Sequence, residues 1–371
     1  MEFIPVNTPS LTGSEEKYLA DCIRTGWISS EGPAIREFEQ KFAAKIGRRC
    51  GIAVSNGTAA LEIAVRALNL GPGDEVILPT FTIISCAAAV VKEGAIPVVV
   101  DADPVTWNMD VTRLAEKITA QTRAIMPVHI YGLPVDMDPI IELARRYNLK
   151  IIEDAAEAHG QTYKGKPCGT FGDLSIFSFY PNKLITTGEG GMLVTDDEAL
   201  AERCRSLRNL CFQPQRRFIH EELGWNYRIT NLQAALGLAQ LEQWNSFIQR
   251  KRKMGRLYTE LLTGVEGIQL SLEKTDHADN IYWVFGLVVD EKLGSAKTIM
   301  DRLAQNQIGT RPFFYPMHRQ PVFQKMGLFS GLSCPVAERI AEQGFYLPSG
   351  LGLTEDQIVY VTDCLKQVLK S

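Results

Sequence analysis

Lys183 is the residue whose setting departs most from that of an ordinary surface lysine. It lies within residues 175–191, SIFSFYPNKLITTGEGG, with aromatic residues on one side and a glycine-rich run on the other. A lysine in such a partly dry setting has a lowered proton affinity, and its free amine can add to a carbonyl. Farther up the chain, IIEDAAEAHG places Asp154 at the end of an apolar run. A lysine on the turn after one strand and an acid at the tip of another are the two parts that a pyridoxal 5'-phosphate (PLP) site needs. The lysine holds the aldehyde as a Schiff base, and the acid keeps the pyridine nitrogen protonated so that the ring acts as an electron sink. Asp154 could instead cap a following helix. Glu157 could complete a capping box or face the hydroxyl side of such a ring. His159 could be a core residue, a partner of Asp154 or a neighbour of the ring.

A phosphate needs donors, and two places offer them. In GIAVSNGTAALEIAVRALNL a short apolar strand meets Ser55-Asn56-Gly57-Thr58 and then a helix. Strand, small-residue turn and helix present backbone N–H groups and a positive helix end to an anion. Gly57 permits close approach and Thr58 adds a hydroxyl, although the same turn also serves as a plain helix cap. Ser178 alternates with Phe177 and Phe179, so it points to the opposite face of its strand and could also bind a phosphate.

These residues need a scaffold of alternating elements. Apolar runs at 75–78, 96–101 and 123–130 read as strands buried on both faces, with helical segments such as 137–147 between them. That alternation predicts a mainly parallel sheet in an α/β domain, where ligands gather at the carboxyl ends of strands. Helices are expected over 14–24, over 33–46 with Ile35, Phe38, Phe42 and Ile46 on a core face, and over 197–208. Gly188, Gly190 and Gly191 suit a tight hairpin. A polar, mobile-looking stretch covers 209–223. Asn226 and Arg228 stand just before a further helix, and a solvated loop is the plain reading of both. After residue 245 the composition changes. Strand-like runs at 281–289 and 307–315, with helices at 296–305 and 335–343, predict a small α+β domain over 246–371, following a large domain over 1–245.

At 371 residues with net charge −4 and no basic run, the sequence gives little support to a nucleic-acid role. No apolar stretch approaches the roughly 18 residues needed to span a bilayer. The eight cysteines include no CxxC pair and read as reduced thiols, and no metal-ligand spacing appears among the histidines. MEFIPVNTPS lacks a basic segment followed by an apolar one, so no signal peptide and a cytoplasmic location are expected.

Taken in order, TGWISSEGPAIREFE, SNGTAALEIAVRAL, GPGDEVILPTFT, RAIMPVHIYGLPVDMDPI, EDAAEAHG, FSFYPNKLITTGEGGM, GWNYRITNLQAALGLAQLE and TRPFFYPMH resemble the DegT/DnrJ/EryC1/StrS family of nucleotide-sugar aminotransferases over nearly the whole chain. The resemblance implies the aspartate-aminotransferase (type I) fold, PLP as cofactor, glutamate as amino donor, a nucleotide-linked keto sugar as acceptor and a homodimer with shared active sites. EDAAEA, NKLITTGEGG and PMH are most similar to the subgroup that aminates GDP-4-keto-6-deoxymannose at C4. UDP- and dTDP-linked sugars, and amination at C3, are the alternatives.

Carried over by resemblance, Lys183 forms the Schiff base and moves the proton. Asp154 pairs with the ring nitrogen and Glu157 lies at the ring hydroxyl. Gly57, Thr58 and Ser178 hold the phosphate, joined by Asn226 of a neighbouring subunit. Arg228 and His318 would contact glutamate or sugar, and Trp27 and Ser29 would line the sugar pocket. Relatives often stack an aromatic residue on the ring where this chain has Ile83, with Phe81 two residues earlier. Related sugar dehydratases carry histidine at the lysine position, which Lys183 argues against. A non-catalytic protein retaining a PLP-type pocket is the rival from another class.

Overall fold

The computed structural model describes residues 2–213 and 215–370; Pro214, in the polar stretch at 209–223, lies outside them. The first helix, α1 (Glu15–Thr25), opens on two acids, which favour a helix N-terminus, and stops at Gly26 with φ of 77°. The second, α2 (Pro33–Ile46), begins on proline and stops at Gly47 in the left-handed region. Ile35, Phe38, Phe42 and Ile46 form its buried face, as their spacing requires. Strand β1 (Cys50–Val54) is wholly buried. It leads into Asn56, whose side chain accepts from the Ala59 N–H and caps α3 (Gly57–Ala67).

The strand–helix step then repeats through β2 (Glu75–Pro79), α4 (Ser85–Lys92), β3 (Ile96–Val100), α5 (Leu114–Lys117), β4 (Thr122–Ile125), α6 (Met137–Tyr147) and β5 (Lys150–Asp154). A short ribbon of β6 (Thr162–Tyr163) and β7 (Lys166–Pro167) precedes β8 (Leu174–Ser178) and β9 (Gly191–Thr195). The sheet order is β1-β9-β8-β5-β4-β2-β3, and β9 alone runs against its neighbours. Val76, Leu78, Leu174 and Ile176 face a core shared with α3, α4 and α7 (Glu198–Arg208). Ile77 and Phe177 face the opposite core, shared with α2, α6 and α8 (Asn231–Glu242). The period-two alternation of the strands thus fills both layers of an α/β sandwich.

A long helix, α9 (Trp244–Leu262), leads to a second, antiparallel sheet of β10 (Ile268–Leu270), β11 (Phe285–Val289), β12 (Arg311–Pro312) and β13 (Gly344–Leu347), in the order β10-β11-β13-β12. Tyr258, Phe285, Leu303 and Val361 form its core together with α10 (Ala296–Gln305) and α13 (Glu355–Lys370). Between them lie α11 (Pro321–Lys325) and α12 (Pro335–Gln343). The Asp101 carboxylate, just past β3, accepts from the Val336 and Ala337 N–H groups at the start of α12, at 3.2 and 2.9 Å. That cap pins the second sheet's helix to the first sheet.

The structure corrects four local expectations. The run 123–130 is a strand only to Ile125, where β4 ends. The run 281–289 is a strand only from Phe285, because Tyr282 sits at φ of 55° and turns the chain. The run 307–315 contributes only Arg311–Pro312 to a sheet. Residues 179–190 are a long connection rather than a tight hairpin. There Gly191 is required by close approach, since a Cβ on it would lie 2.5 Å from the Asn56 carbonyl oxygen.

Candidate active site

The carboxyl ends of β5 and β8, the start of α3 and the segment before β11 enclose a cavity of about 370 Å³. Lys183, Asp154, Glu157, Gly57, Thr58 and Ser178 all line it. Residues scattered across the chain thus converge where the parallel sheet directs ligands.

Lys183 sits on a turn closed by its own N–H donating to the Tyr180 carbonyl at 2.9 Å. Its Nζ lies 3.8 Å from Glu157 Oε1 and 3.8 Å from the centre of the Trp283 ring. The Trp283 indole N–H donates to the Asn182 carbonyl at 2.8 Å, which fixes ring and lysine turn together. Burial lowers the lysine's pKa, while the Glu157 and Asp154 carboxylates oppose that shift. Burial raises the pKa of Glu157, with Lys183 acting against it. The two groups form a buried pair in which each charge steadies the other.

Asp154 does not cap a helix. Its Oδ1 accepts from the Ala156 N–H at 3.0 Å in a local turn, and its Oδ2 lies 3.3 Å from Cys86 Sγ. Glu157 forms no capping box, because its Oε2 accepts from the Tyr131 N–H across the sheet at 2.8 Å. His159 is a core residue. Its ring stacks on Phe177 and Phe179 with interplanar angles of 12° and 9°, and burial and the Lys183 charge lower its pKa to about 3.

At the other end of the cavity, Gly57 opens α3 directly beneath Ser178. A Cβ at Gly57 would lie 2.9 Å from Ser178 Cβ and would fill the space between helix end and strand. Thr58 Oγ1 is 2.8 Å from Ser85 Oγ, a second hydroxyl in the lining that sequence reasoning missed. Backbone donors, three hydroxyls and a helix N-terminus form an anion cradle. Beside the buried amine and the strand-end acid, this donor set fits PLP.

The remaining candidates fall elsewhere. Ile83 lines the cavity and is 44% exposed, whereas Phe81 is buried against Tyr131, Phe313 and Phe314 and does not reach it. Asn226 accepts from Arg228 Nε at 2.8 Å, and neither residue lines the cavity of its own chain. Trp27 and Ser29 lie on an exposed loop whose carbonyls accept from Asn231 at the start of α8. His318 is corrected as a substrate contact. Its ring is buried, with Nδ1 2.7 Å from Thr80 Oγ1 and Nε2 2.9 Å from Glu338 Oε1, so neither nitrogen is free. It joins the end of β2 to α12.

Arg311, Trp283, Phe314 and Tyr346 complete the wall. Of these, only Arg311 carried a sequence signal, as a lone cation entering an apolar, strand-like run. Its side chain makes no hydrogen bond or ion pair among the described residues and stands at the rim.

A parallel α/β sheet that presents a buried lysine, a strand-end acid and an anion cradle defines a PLP-dependent enzyme of the aspartate-aminotransferase fold. The chain belongs to the DegT/DnrJ/EryC1/StrS aminotransferase family, whose sequence profile matches residues 9–366. It is 43% identical over 367 residues to the GDP-perosamine synthase of Escherichia coli O157:H7, covering 99% of each chain. It is also 43% identical over 367 residues to that of Caulobacter vibrioides, covering 99% of this chain and 98% of the relative. Among solved structures, the aminotransferase TlmJ from Streptoalloteichus hindustanus superimposes with a TM-score of 0.92 at 30% identity, covering 99% of both chains. The protein is a PLP-dependent sugar aminotransferase. No helix among the described residues is long and apolar enough to cross a membrane.

Proposed function

We propose that the protein transfers the amino group of glutamate to C4 of GDP-4-keto-6-deoxymannose, giving GDP-perosamine and 2-oxoglutarate. The observation that carries the reaction is the Lys183 amine, held 3.8 Å from Glu157 in the same cavity as Asp154 and the α3 cradle. The GDP sugar rests on the 43% identity to two GDP-perosamine synthases.

Bound in this cavity, PLP supplies an aldehyde that carries the amino group and a ring that accepts electrons from the carbon losing a proton. The chain's residues do the rest. Gly57, Thr58 and Ser178 would hold the phosphate, and Asp154 would pair with the ring nitrogen. Glu157 would meet the ring hydroxyl, and Ile83, which lines the cavity, would cover a ring face. Lys183 Nζ would take the proton from Cα of glutamate and deliver it to C4′ of the cofactor, so that water can release 2-oxoglutarate; burial, which lowers its pKa, favours the free amine that acts as the base. In the second half the same amine moves a proton back to C4 of the sugar.

Arg311, a cation at the rim with no ion-pair partner among the described residues, would supply the anion contact that His318 cannot. Asn226 lies outside its own cavity, in keeping with a role at the phosphate of a neighbouring subunit in a homodimer. Trp27 and Ser29 are exposed and Arg228 is half-buried, on loops that such a partner would meet. A division into a PLP-binding part over 1–245 and a smaller part over 246–371, and a cytoplasmic location, complete this reading.

The test is a glutamate-dependent assay with GDP-, UDP- and dTDP-linked 4-keto-6-deoxy sugars. Amination of the GDP sugar at C4 by the wild type, with loss of all transfer in a folded Lys183→Ala variant, is the expected result. Preference for a UDP or dTDP sugar would overturn the substrate, and turnover by Lys183→Ala would overturn the mechanism.

A further inference from the structure

We propose that Cys86 is a positioning residue for Asp154, a buried thiol that fixes the carboxylate's orientation while leaving its charge available to the cofactor ring. The inference rests on the PLP reading above. Cys86 is the second residue of α4 and is fully buried. Its Sγ lies 3.3 Å from Asp154 Oδ2 and 3.7 Å from Thr82 Oγ1. Thr82 lines the cavity, and so does Ser85, which meets Thr58 at the anion cradle. One turn of α4 therefore serves both ends of the site, Ser85 at the cradle and Cys86 at the acid.

The chemistry of the three groups sets the direction of each bond. Burial raises the pKa of Asp154; in the carboxylate form that pairs with a protonated ring nitrogen it can only accept, so the thiol donates to Oδ2. The Thr82 hydroxyl is free to donate to sulfur, which aims the S–H at the carboxylate. The last torsion of an aspartate is soft, and among the described residues Oδ1 has only the Ala156 N–H to hold it. The thiol is the second anchor that sets the carboxylate plane. Burial and the adjacent Asp154 charge keep Cys86 protonated, so the donor is permanent.

A thiol is a weak donor. A hydroxyl in its place would form a charge-assisted bond to the same oxygen and compete with a protonated ring nitrogen. Loss of the donor would release the carboxylate plane. Cys86→Ser and Cys86→Ala therefore weaken one contact, that between Asp154 and the ring nitrogen, in different ways.

The test is equilibrium binding of PLP, and of its analogue with carbon in place of the ring nitrogen, to the apoproteins of wild type, Cys86→Ser and Cys86→Ala. Both variants are expected to lose PLP affinity, by up to roughly tenfold, while binding the carbon analogue within about twofold of wild type. Equal loss for both ligands would mean that Cys86 only packs, and no loss for either would mean that the contact is idle; both outcomes overturn the proposal. Wild-type apoprotein that failed to prefer PLP over the analogue would instead count against the pairing of Asp154 with the ring.

Discussion

Lys183 and Glu157 face each other in a pocket too dry for both to keep their ordinary pKa values. Burial lowers the lysine and raises the acid, and each carboxylate nearby makes the ammonium easier to keep. The sign of a substitution follows. Glu157→Gln removes a negative charge that favours the protonated amine, so Lys183 should lose its proton at lower pH. The pH at which the apoprotein captures PLP, followed by visible absorbance, should shift toward acid; an unchanged profile would show that the pair is not coupled. Residue types also explain what does not take part. His159 is held neutral between two phenylalanines, and His318 has both ring nitrogens occupied.

Among the elements, α9 supports the site without lining it. Lys251 on this helix is buried, and its Nζ donates to the Trp283 carbonyl at 2.7 Å and to the Ser349 carbonyl. It thereby ties the bend that carries Trp283 to the strand end after β13. Gly255, one turn on, lets Tyr282 pack, since a Cβ there would fall 2.1 Å from that ring. Burial lowers the Lys251 pKa to about 7 from the ordinary lysine value of 10.5. Between those values the unfolded chain binds a proton that the folded chain does not, so folding stability gains with rising pH across the window. Lys251→Met removes that slope. Its melting temperature should compare best with wild type below about pH 7 and lose ground toward pH 10, read from thermal melts at several pH values. A pH-independent difference would mean that Lys251 stays charged when buried.

At the scale of the whole molecule, two sheets are locked together around the cavity by contacts distant in sequence. Asp101 caps α12, His318 bridges Thr80 and Glu338, and Ile4 pairs with Ile308 beside the second sheet. The walls of the site therefore come from both sheets, with Trp283, Arg311 and Tyr346 facing Lys183 and Asp154. Asn226 and the exposed Trp27 and Ser29 are left outside, and a partner subunit is the proposed destination of Asn226. Mixing Lys183→Ala with Asn226→Ala subunits tests that arrangement. If each site borrows Asn226 from its neighbour, a mixed dimer holds one doubly defective and one intact site. Activity should then reappear on mixing two weak or inactive proteins, and no recovery would place Asn226 outside the site.

Much of this was legible because it is local. Helices at 137–147, 296–305 and 335–343 follow from the spacing of apolar residues and from flanking caps and prolines, which act within a few residues. Unbroken apolar runs gave away the buried strands, and Lys183 and Asp154 stood out because their flanks suit neither a solvated surface nor a plain core. What stayed hidden depends on which elements meet. Trp283 against Lys183 and Cys86 against Asp154 join residues far apart in the chain, and no periodicity encodes such a meeting. The same holds for His318, whose burial comes from docking α12 beside β2, and for the bend at Tyr282 that delays the start of a strand-like run. Side-chain pattern decides which face of an element is apolar. Sheet order and the docking of the second sheet decide which polar groups then face one another, and only the folded chain contains that information.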